Sequence, residues 1–406
     1  MEHRILLYSD AWCKDAMEHL NSMLQPCLQG GDECKIFHAS IVEKPSATFT
    51  TAKDINIQYM YNLDVLAEYE YAMLDKEDFG IFNGLYGYFE YREMDDKERL
   101  TQYINYMYDK FITACNTYRP TTIVIPSPIT AMRKVIRYHA NATSNVTVLG
   151  MDFSPFEGFY SFDPYGGSLQ TGCLTKQDVW KRAREYVSVD PTNAKFQNYL
   201  AWHKQYTTEQ TTRGCISQPE EVVATVELPP NFIFLVGQSG NDANQIIHLR
   251  NIAYDPVLIA EFVVSSLQAM GDERPVVFKK HPEDISDSCE QLEKLGVIVV
   301  QDNVNIHTLL EACDAVVTWN SNVGIEALLY YKPVVVLGDC FYRNKGFTCD
   351  IDTLSVPTLI SGLATKPDKV LVDTFLTFLT QYYLIDGSKA NKIYKRITKD
   401  YGCFWE

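Results

Sequence analysis

The chain has 406 residues, 46% hydrophobic and 22% charged, which excludes a disordered polymer and suits two domains of roughly 150–220 residues. Its formal charge of -16 excludes a sequence-blind nucleic-acid binder, because a phosphate backbone attracts basic faces. Any anion site must be assembled locally, from a few cations and helix starts.

Eleven cysteines are scattered without a CxxC pair or a Cys/His cluster of zinc-ligand spacing. No metal site and no cofactor are expected, and free thiols predict a reducing, cytoplasmic setting. The N-terminal apolar run breaks at Ser9 and Asp10, so it reads as a first strand rather than a leader. No segment approaches the roughly 18 apolar residues of a membrane span.

In chain order, residues 4–9 read as a strand, 15–25 as a helix and 35–39 as a strand. Helical patterns fill 54–75 and 95–117. A buried strand at 121–126, a helix at 131–140 and a strand at 146–151 follow. Many of the 26 tyrosines and 20 phenylalanines lie between 59 and 118, as helical core or else as an aromatic-lined acceptor cleft or a lipid-facing surface. Residues 174–206 look helical, with an interruption near Pro191. The polar stretch 207–230 ends in two prolines and reads as a linker.

A second alternation starts there. Strands are expected at 232–236, 275–279, 297–301, 314–319 and 333–337. Helices are expected at 256–270, 286–295, 305–313 and 323–331, with a helical tail over 369–400. Short β-branched runs suit central parallel strands, apolar on both faces. The expected fold is therefore α/β, with two doubly wound Rossmann-like domains at 1–215 and 231–368. Residues 369–406 would form C-terminal helices that pack back on the first domain. Ligands of such sheets bind beyond the carboxyl ends of the strands, here in an interdomain cleft.

Four segments fall at such ends. Thr318 through Glu326 joins a buried strand to a helix start; Asn320 and Ser321 add donors and Gly324 permits close approach, which suits a phosphate. Lys280, His281 and Pro282 follow the strand at 275–279, on what reads as an adjacent strand end, and imidazole can donate to a phosphate oxygen. The loop from Gly237 and Gln238 through Asp242 offers a carboxylate, although Asp beside Gly and Asn is also a turn former. The stretch from Asp152 through Glu157 to Asp163 and Gly166 follows the last strand of the first domain, and reads either as bringing Glu157 to the same cleft from the other side or as a long surface loop with aromatic anchors. The Asp350-Ile351-Asp352 spelling, used by metal-dependent sugar transferases of another fold, reads as coincidence.

The run KKHPED and the later WNSNVGIEALLYYKPVVVLGDCFYRNKGFT resemble the capsule polysaccharide biosynthesis proteins and bacterial β-Kdo transferases. Gln238 to Asp242 match that family's Gln-x-x-x-Asp loop, with small polar residues between them where the family has apolar ones. Gly158 through Gly166 are similar to its Asp-Pro-x-Gly stretch. The resemblance spans roughly residues 150–350 by motif and the N-terminal third matches no motif.

It implies a GT-B type glycosyltransferase that moves Kdo (3-deoxy-D-manno-octulosonic acid) from CMP-β-Kdo with retention. By that resemblance His281 and Ser321 hold the CMP phosphate, with Pro282, Lys280, Asn320 and Gly324 around them and Glu326 near the ribose. Asp242 stands at the catalytic carboxylate and Glu157 at the second acidic position. Gln238 and Asp163 belong to the flanking loops. Lys279, Lys280 or Lys345 would meet the sugar carboxylate. The implied partners are the CMP-Kdo donor and a glycan or lipid-linked acceptor of capsule or lipopolysaccharide synthesis. Peripheral association with the inner membrane face or with further glycosyltransferase domains also follows from it.

Other readings stay open: a CMP-sialic acid or UDP-sugar transferase, a nucleotide-sugar 2-epimerase, or a non-catalytic carbohydrate-binding module.

Overall fold

The computed structural model describes residues 2–10, 13–39, 111–126, 133, 137, 146–156, 158–166, 169–187, 228–239, 248–281, 284, 288–300 and 304–399. The helical expectations at 54–75, most of 95–117, most of 131–140 and 188–206, the aromatic-rich segment apart from the helical residues 111–118, and the linker apart from 228–230 lie outside them.

The chain divides into two compact units. One comprises Met1–Ser154, Gly158–Cys173 and Leu384–Glu406; the other comprises Pro155–Glu157 and Leu174–Tyr383. The boundary expected at 215 is corrected by helix α2 (Gln177–Tyr186), which clusters with the second unit. Its Trp180 indole donates to the Lys345 carbonyl at 3.1 Å and meets Phe347 and Phe375 edge-on, a contact the sequence pattern does not reveal. The tail divides as well. Helix α8 (Lys369–Phe378) clusters with the second unit, whereas Leu384–Glu406 clusters with the first.

The first unit holds β1 (Arg4–Asp10), α1 (Lys14–Leu24), β2 (Glu33–Ala39), β3 (Thr122–Pro126), β4 (Thr147–Phe153), β5 (Phe159–Asp163), β12 (Ile385–Asp386) and α9 (Ala390–Thr398). Its sheet runs β12-β5-β4-β3-β1-β2. The first four strands are parallel, and their fully buried Ile5, Leu7, Val124 and Leu149 supply the apolar face that α1 and α9 cover. The expected loop at 158–163 is instead β5, antiparallel to β4 and to β12. Pairing on both sides supplies its backbone partners.

The second unit is parallel throughout. It contains β6 (Ile233–Val236), α3 (Pro256–Ala269), β7 (Val276–Lys279), α4 (Cys289–Lys294), β8 (Ile298–Val300), α5 (Ile306–Ala312), β9 (Ala315–Thr318), α6 (Val323–Leu329), β10 (Val334–Val336), β11 (Cys349–Asp350), α7 (Val356–Ala364) and α8. Every residue of β6, β7, β9 and β10 is buried, as strands covered on both faces require. The order β8-β7-β6-β9-β10-β11 is that of a dinucleotide-binding sheet, winding outward in both directions from β6 and β9. Connections leave to opposite sides at that junction, so a crevice opens beyond the carboxyl ends of β6 and β9.

Candidate functional site

Gln238 sits two residues past β6, at that junction, and is buried. Its side-chain oxygen accepts from the backbone N–H groups of Trp319 (3.2 Å) and Asn320 (3.3 Å) and from the Thr318 hydroxyl (3.4 Å), all at the end of β9. Its amide nitrogen donates to Asn320 Oδ1 at 2.8 Å. The two N–H groups fix which end of the Gln238 carboxamide is oxygen, and this in turn fixes the Asn320 amide. Tyr254 completes the clamp: its hydroxyl donates to the Gln238 carbonyl at 2.6 Å and accepts from the Gln238 N–H at 2.9 Å. Burial raises the Tyr254 phenol well above its ordinary value, so it remains a donor. The Trp319 ring lies edge-on to Tyr254, centroids 4.7 Å apart, with its indole N–H on the Ala253 carbonyl.

Gly237 allows this loop to sit against the end of β7. A Cβ there would lie 2.4 Å from the Lys279 carbonyl oxygen and 3.1 Å from the His281 nitrogen. His281 is half-buried and its turn is closed by the Asp284 N–H on the His281 carbonyl, 2.9 Å. Pro282 lies outside the described residues. The ends of β7 and β9 are not adjacent, as the sequence suggested; β6 lies between them. The loops that carry His281 and Asn320 therefore flank the Gln238 loop on either side.

The backbone at the start of α6 is less open than a bare helix terminus. Trp319 and Asn320 give their N–H groups to Gln238, Ser321 to the Thr318 hydroxyl (3.4 Å) and Val323 to the Ser321 hydroxyl (3.2 Å). For these four N–H groups the turn supplies its own acceptors. The side chains of Asn320 and Ser321 and the half-buried Glu326, one turn on, carry what polar chemistry α6 offers.

Gly324 lies against Tyr342. A Cβ there would lie 2.2 Å from the Tyr342 hydroxyl, which donates to the Ser321 carbonyl at 2.6 Å. Tyr342 belongs to the β10–β11 loop, which is braced along its length. Arg343 donates to the Gly338 carbonyl (2.9 Å) and to Asp352 (2.8 Å), and Asp350 accepts from the Asn344 N–H and the Thr348 hydroxyl. The Asp350-Ile351-Asp352 spelling thus lies in the loop's own bracing.

Lys345, in the same loop, is 2% exposed. Lys280 is half-buried beside His281. Lys279 is turned elsewhere, its ammonium donating to the Val304 carbonyl at 2.6 Å.

Asp163 lies in the first unit. Its carboxylate accepts from the backbone of Tyr165, Gly166 and Cys173 and from the Cys173 thiol, so it organises the 163–173 loop. Asp242 and Glu157 lie outside the described residues. Sequence reasoning singled out neither Tyr254 nor Tyr342, although Tyr342 lies within the run that carries the resemblance; each acts through a contact made only on folding, to Gln238 and to Ser321. No group of three or more His, Cys, Asp or Glu side chains suited to a metal occurs among the described residues.

Residues 220–389 match the family model described as capsule polysaccharide biosynthesis protein. Protein FixF of Sinorhizobium fredii is 33% identical over 167 residues, which cover 40% of this chain and 40% of that relative's length. Among solved structures, the beta Kdo 2,7 transferase KpsC of Thermosulfurimonas dismutans is similar at 18% identity and a TM-score of 0.40, over 62% of this chain and 78% of that one. A UDP-GlcNAc 2-epimerase of Methanocaldococcus jannaschii is similar at 12% identity and a TM-score of 0.38, over 94% and 99%.

Proposed function

We propose, for a chain whose residues 220–389 match the capsule polysaccharide biosynthesis family model, that it is a retaining glycosyltransferase moving Kdo from CMP-β-Kdo to a glycan or glycolipid acceptor. The observation that carries this reading is the Gln238–Asn320 bond, which pins two loops together at the junction where a doubly wound sheet receives its ligand.

In this proposal the CMP phosphate lies between the His281 turn and the Ser321 turn. His281 and Lys280 approach from the β7 side, and Asn320 and Ser321 from the β9 side. Because Asn320 commits its oxygen to Gln238, its NH2 end is the one directed at other partners. Gly324 and Tyr342 fix the turn, and Glu326 reaches the ribose. Lys345 is the cation for the Kdo carboxylate. The clamp residues hold their donors in place before substrate arrives, which is what electrostatic stabilisation of a leaving phosphate requires.

The chemical step is assigned to Asp242 and Glu157 by their place in the sequence motifs. Asp242 attacks the anomeric carbon as its bond to the CMP oxygen breaks, and CMP leaves with the electron pair. The acceptor hydroxyl, giving its proton to Glu157, then displaces the Asp242 carboxylate and restores the original configuration.

Incubation with CMP-Kdo, CMP-sialic acid and UDP-sugars, with nucleotide release followed with and without acceptor glycans, tests the reading. CMP release from CMP-Kdo is expected. Release confined to UDP-sugars, or epimerisation of UDP-GlcNAc without transfer, would contradict it.

A further inference from the structure

The first unit has a switch point of its own. From β1 the chain passes through α1 to β2 on one side, while β3 and β4 lie on the other, so the parallel strands wind outward from β1 and β3. A crevice opens beyond the carboxyl ends of these strands, as it does beyond β6 and β9.

Ser9 stands at that edge, next to last in β1. Side chains alternate along a strand, and Ile5 and Leu7 lie in the core that α1 and α9 cover, so Ser9 is on the same face. It is 1% exposed, and its hydroxyl has no hydrogen-bond partner among the described residues. Gln238, the polar side chain beyond β6 in the second unit, is by contrast bonded at both ends of its carboxamide. A buried hydroxyl without a partner is costly, and a hydroxyl brought by a ligand removes that cost.

An aromatic ring shares this face and this edge. Leu7 pairs with Val124 and Val124 with Leu149, so Met151 stands level with Ser9, and Phe153 lies one pleat beyond. Leu149 and Met151 belong to the same core, which puts Phe153 on the Ser9 face. Its ring centroid lies 6.0 Å from that of its cross-strand partner Tyr160, another residue of that core, yet Phe153 is 44% exposed. Two strand spacings, about 10 Å, separate β1 from β4 laterally. Helix α1 starts at Lys14, just past Ser9, and Gly387, on the approach to α9, packs on the Tyr160 ring, so both helices begin at this edge.

We propose that this edge of the first unit is a saccharide subsite, in which Ser9 Oγ bonds a ring hydroxyl and Phe153 lies under the apolar face of a neighbouring sugar. A pyranose carries C–H bonds on one face and hydroxyls around its rim, the pairing of apolar and hydrogen-bonding groups found here. Asp15, exposed in the first turn of α1, already meets the positive end of that helix, which disfavours a phosphate in its place. The inference rests on the glycosyltransferase reading only in taking that saccharide to be the acceptor.

The test is saturation-transfer NMR of the full chain, with CMP present in excess, against the methyl glycosides of glucose, galactose, N-acetylglucosamine and Kdo. Wild type, Ser9→Ala and Phe153→Leu are compared, with melting temperatures alongside. At least one glycoside should give a signal, and each variant should weaken its binding by about 2- to 12-fold. Ser9→Ala should melt at or above the wild-type temperature, because its hydroxyl bonds nothing in the free chain. Absence of any signal, a signal that CMP abolishes, binding unchanged in both variants, or a lowered melting temperature for Ser9→Ala would each overturn the proposal. CMP release from CMP-Kdo by a chain that binds no glycoside would sink this subsite alone. Glycoside binding weakened in both variants of a chain that releases no CMP would support the subsite and count against the donor reading.

Discussion

The Gln238 carboxamide donates to Asn320 Oδ1 across 2.8 Å while its oxygen accepts the Asn320 N–H, so one side chain holds both ends of a residue 82 positions away. The junction between β6 and β9 is thereby braced by side chains as well as by the strand ladder. Replacing Gln238 with Ala leaves the buried N–H groups of Trp319 and Asn320 unmet, at about 2–4 kcal/mol in total. Hydrogen exchange should show lost protection concentrated over residues 315–329, with β1 and β3 of the first unit unchanged. Uniform loss in both units would contradict a local clamp.

Gly324 and Tyr342 make a second test. The Cβ of Gly324→Ala would overlap the Tyr342 hydroxyl, a destabilisation of about 1–3 kcal/mol. Removing that hydroxyl with Tyr342→Phe should recover part of the loss in the double variant, despite giving up the bond to the Ser321 carbonyl. Additive losses in denaturant titrations would show that the two positions are not coupled.

The elements of the second unit are legible because its strands are short, apolar runs bounded by turns; all five expected strands appear within two residues of their predicted ends. β5 is not, although FYSFD between Gly158 and Pro164 has the aromatic make-up of a strand; its antiparallel place between β4 and residues 385–386 is a long-range pairing that no local pattern encodes. Helix α7 is obscured by Pro357 and Gly362, and Gly362 is required because Cys349 Sγ lies 2.5 Å from where a Cβ would stand. At the site, Gln238, His281, Asn320 and Ser321 are visible as polar residues after strands. Tyr254 and Tyr342 are not, because their meaning comes from contacts to Gln238 and Ser321 that only the folded chain creates.

Acid should expose the contribution of Asp272. Its bonds to Arg274, 2.6 and 3.0 Å, hold the carboxyl below its ordinary value. A depressed folded value means stability that is present above the unfolded value, near pH 3.9, and is lost as pH falls through the folded one. Asp272→Asn should therefore cost the second unit about 1 kcal/mol at pH 7, and the difference from wild type should close on acidification below about pH 4. A difference that persists undiminished at low pH would show that the Arg274 pairing is not its source.

His281→Ala should weaken CMP binding by roughly 10- to 150-fold, the worth of a charge-assisted hydrogen bond, with little change in melting temperature. The side chain lies at a turn, half-buried, outside the strand core. Calorimetry in excess EDTA should still show wild-type binding, since the proposed phosphate ligands are side chains of the protein. Binding that disappears with EDTA and returns with magnesium would contradict that part of the site.

In the proposed mechanism Kdo passes through a covalent link to Asp242. Intact-protein mass spectrometry after mixing with CMP-Kdo in the absence of acceptor tests it most directly, with Asp242→Ala and Glu157→Ala alongside. A Kdo adduct is expected on wild type and on Glu157→Ala, mapped to Asp242, absent from Asp242→Ala, and released on adding acceptor with the β configuration retained. An adduct on another residue, or a product of inverted configuration, would contradict it.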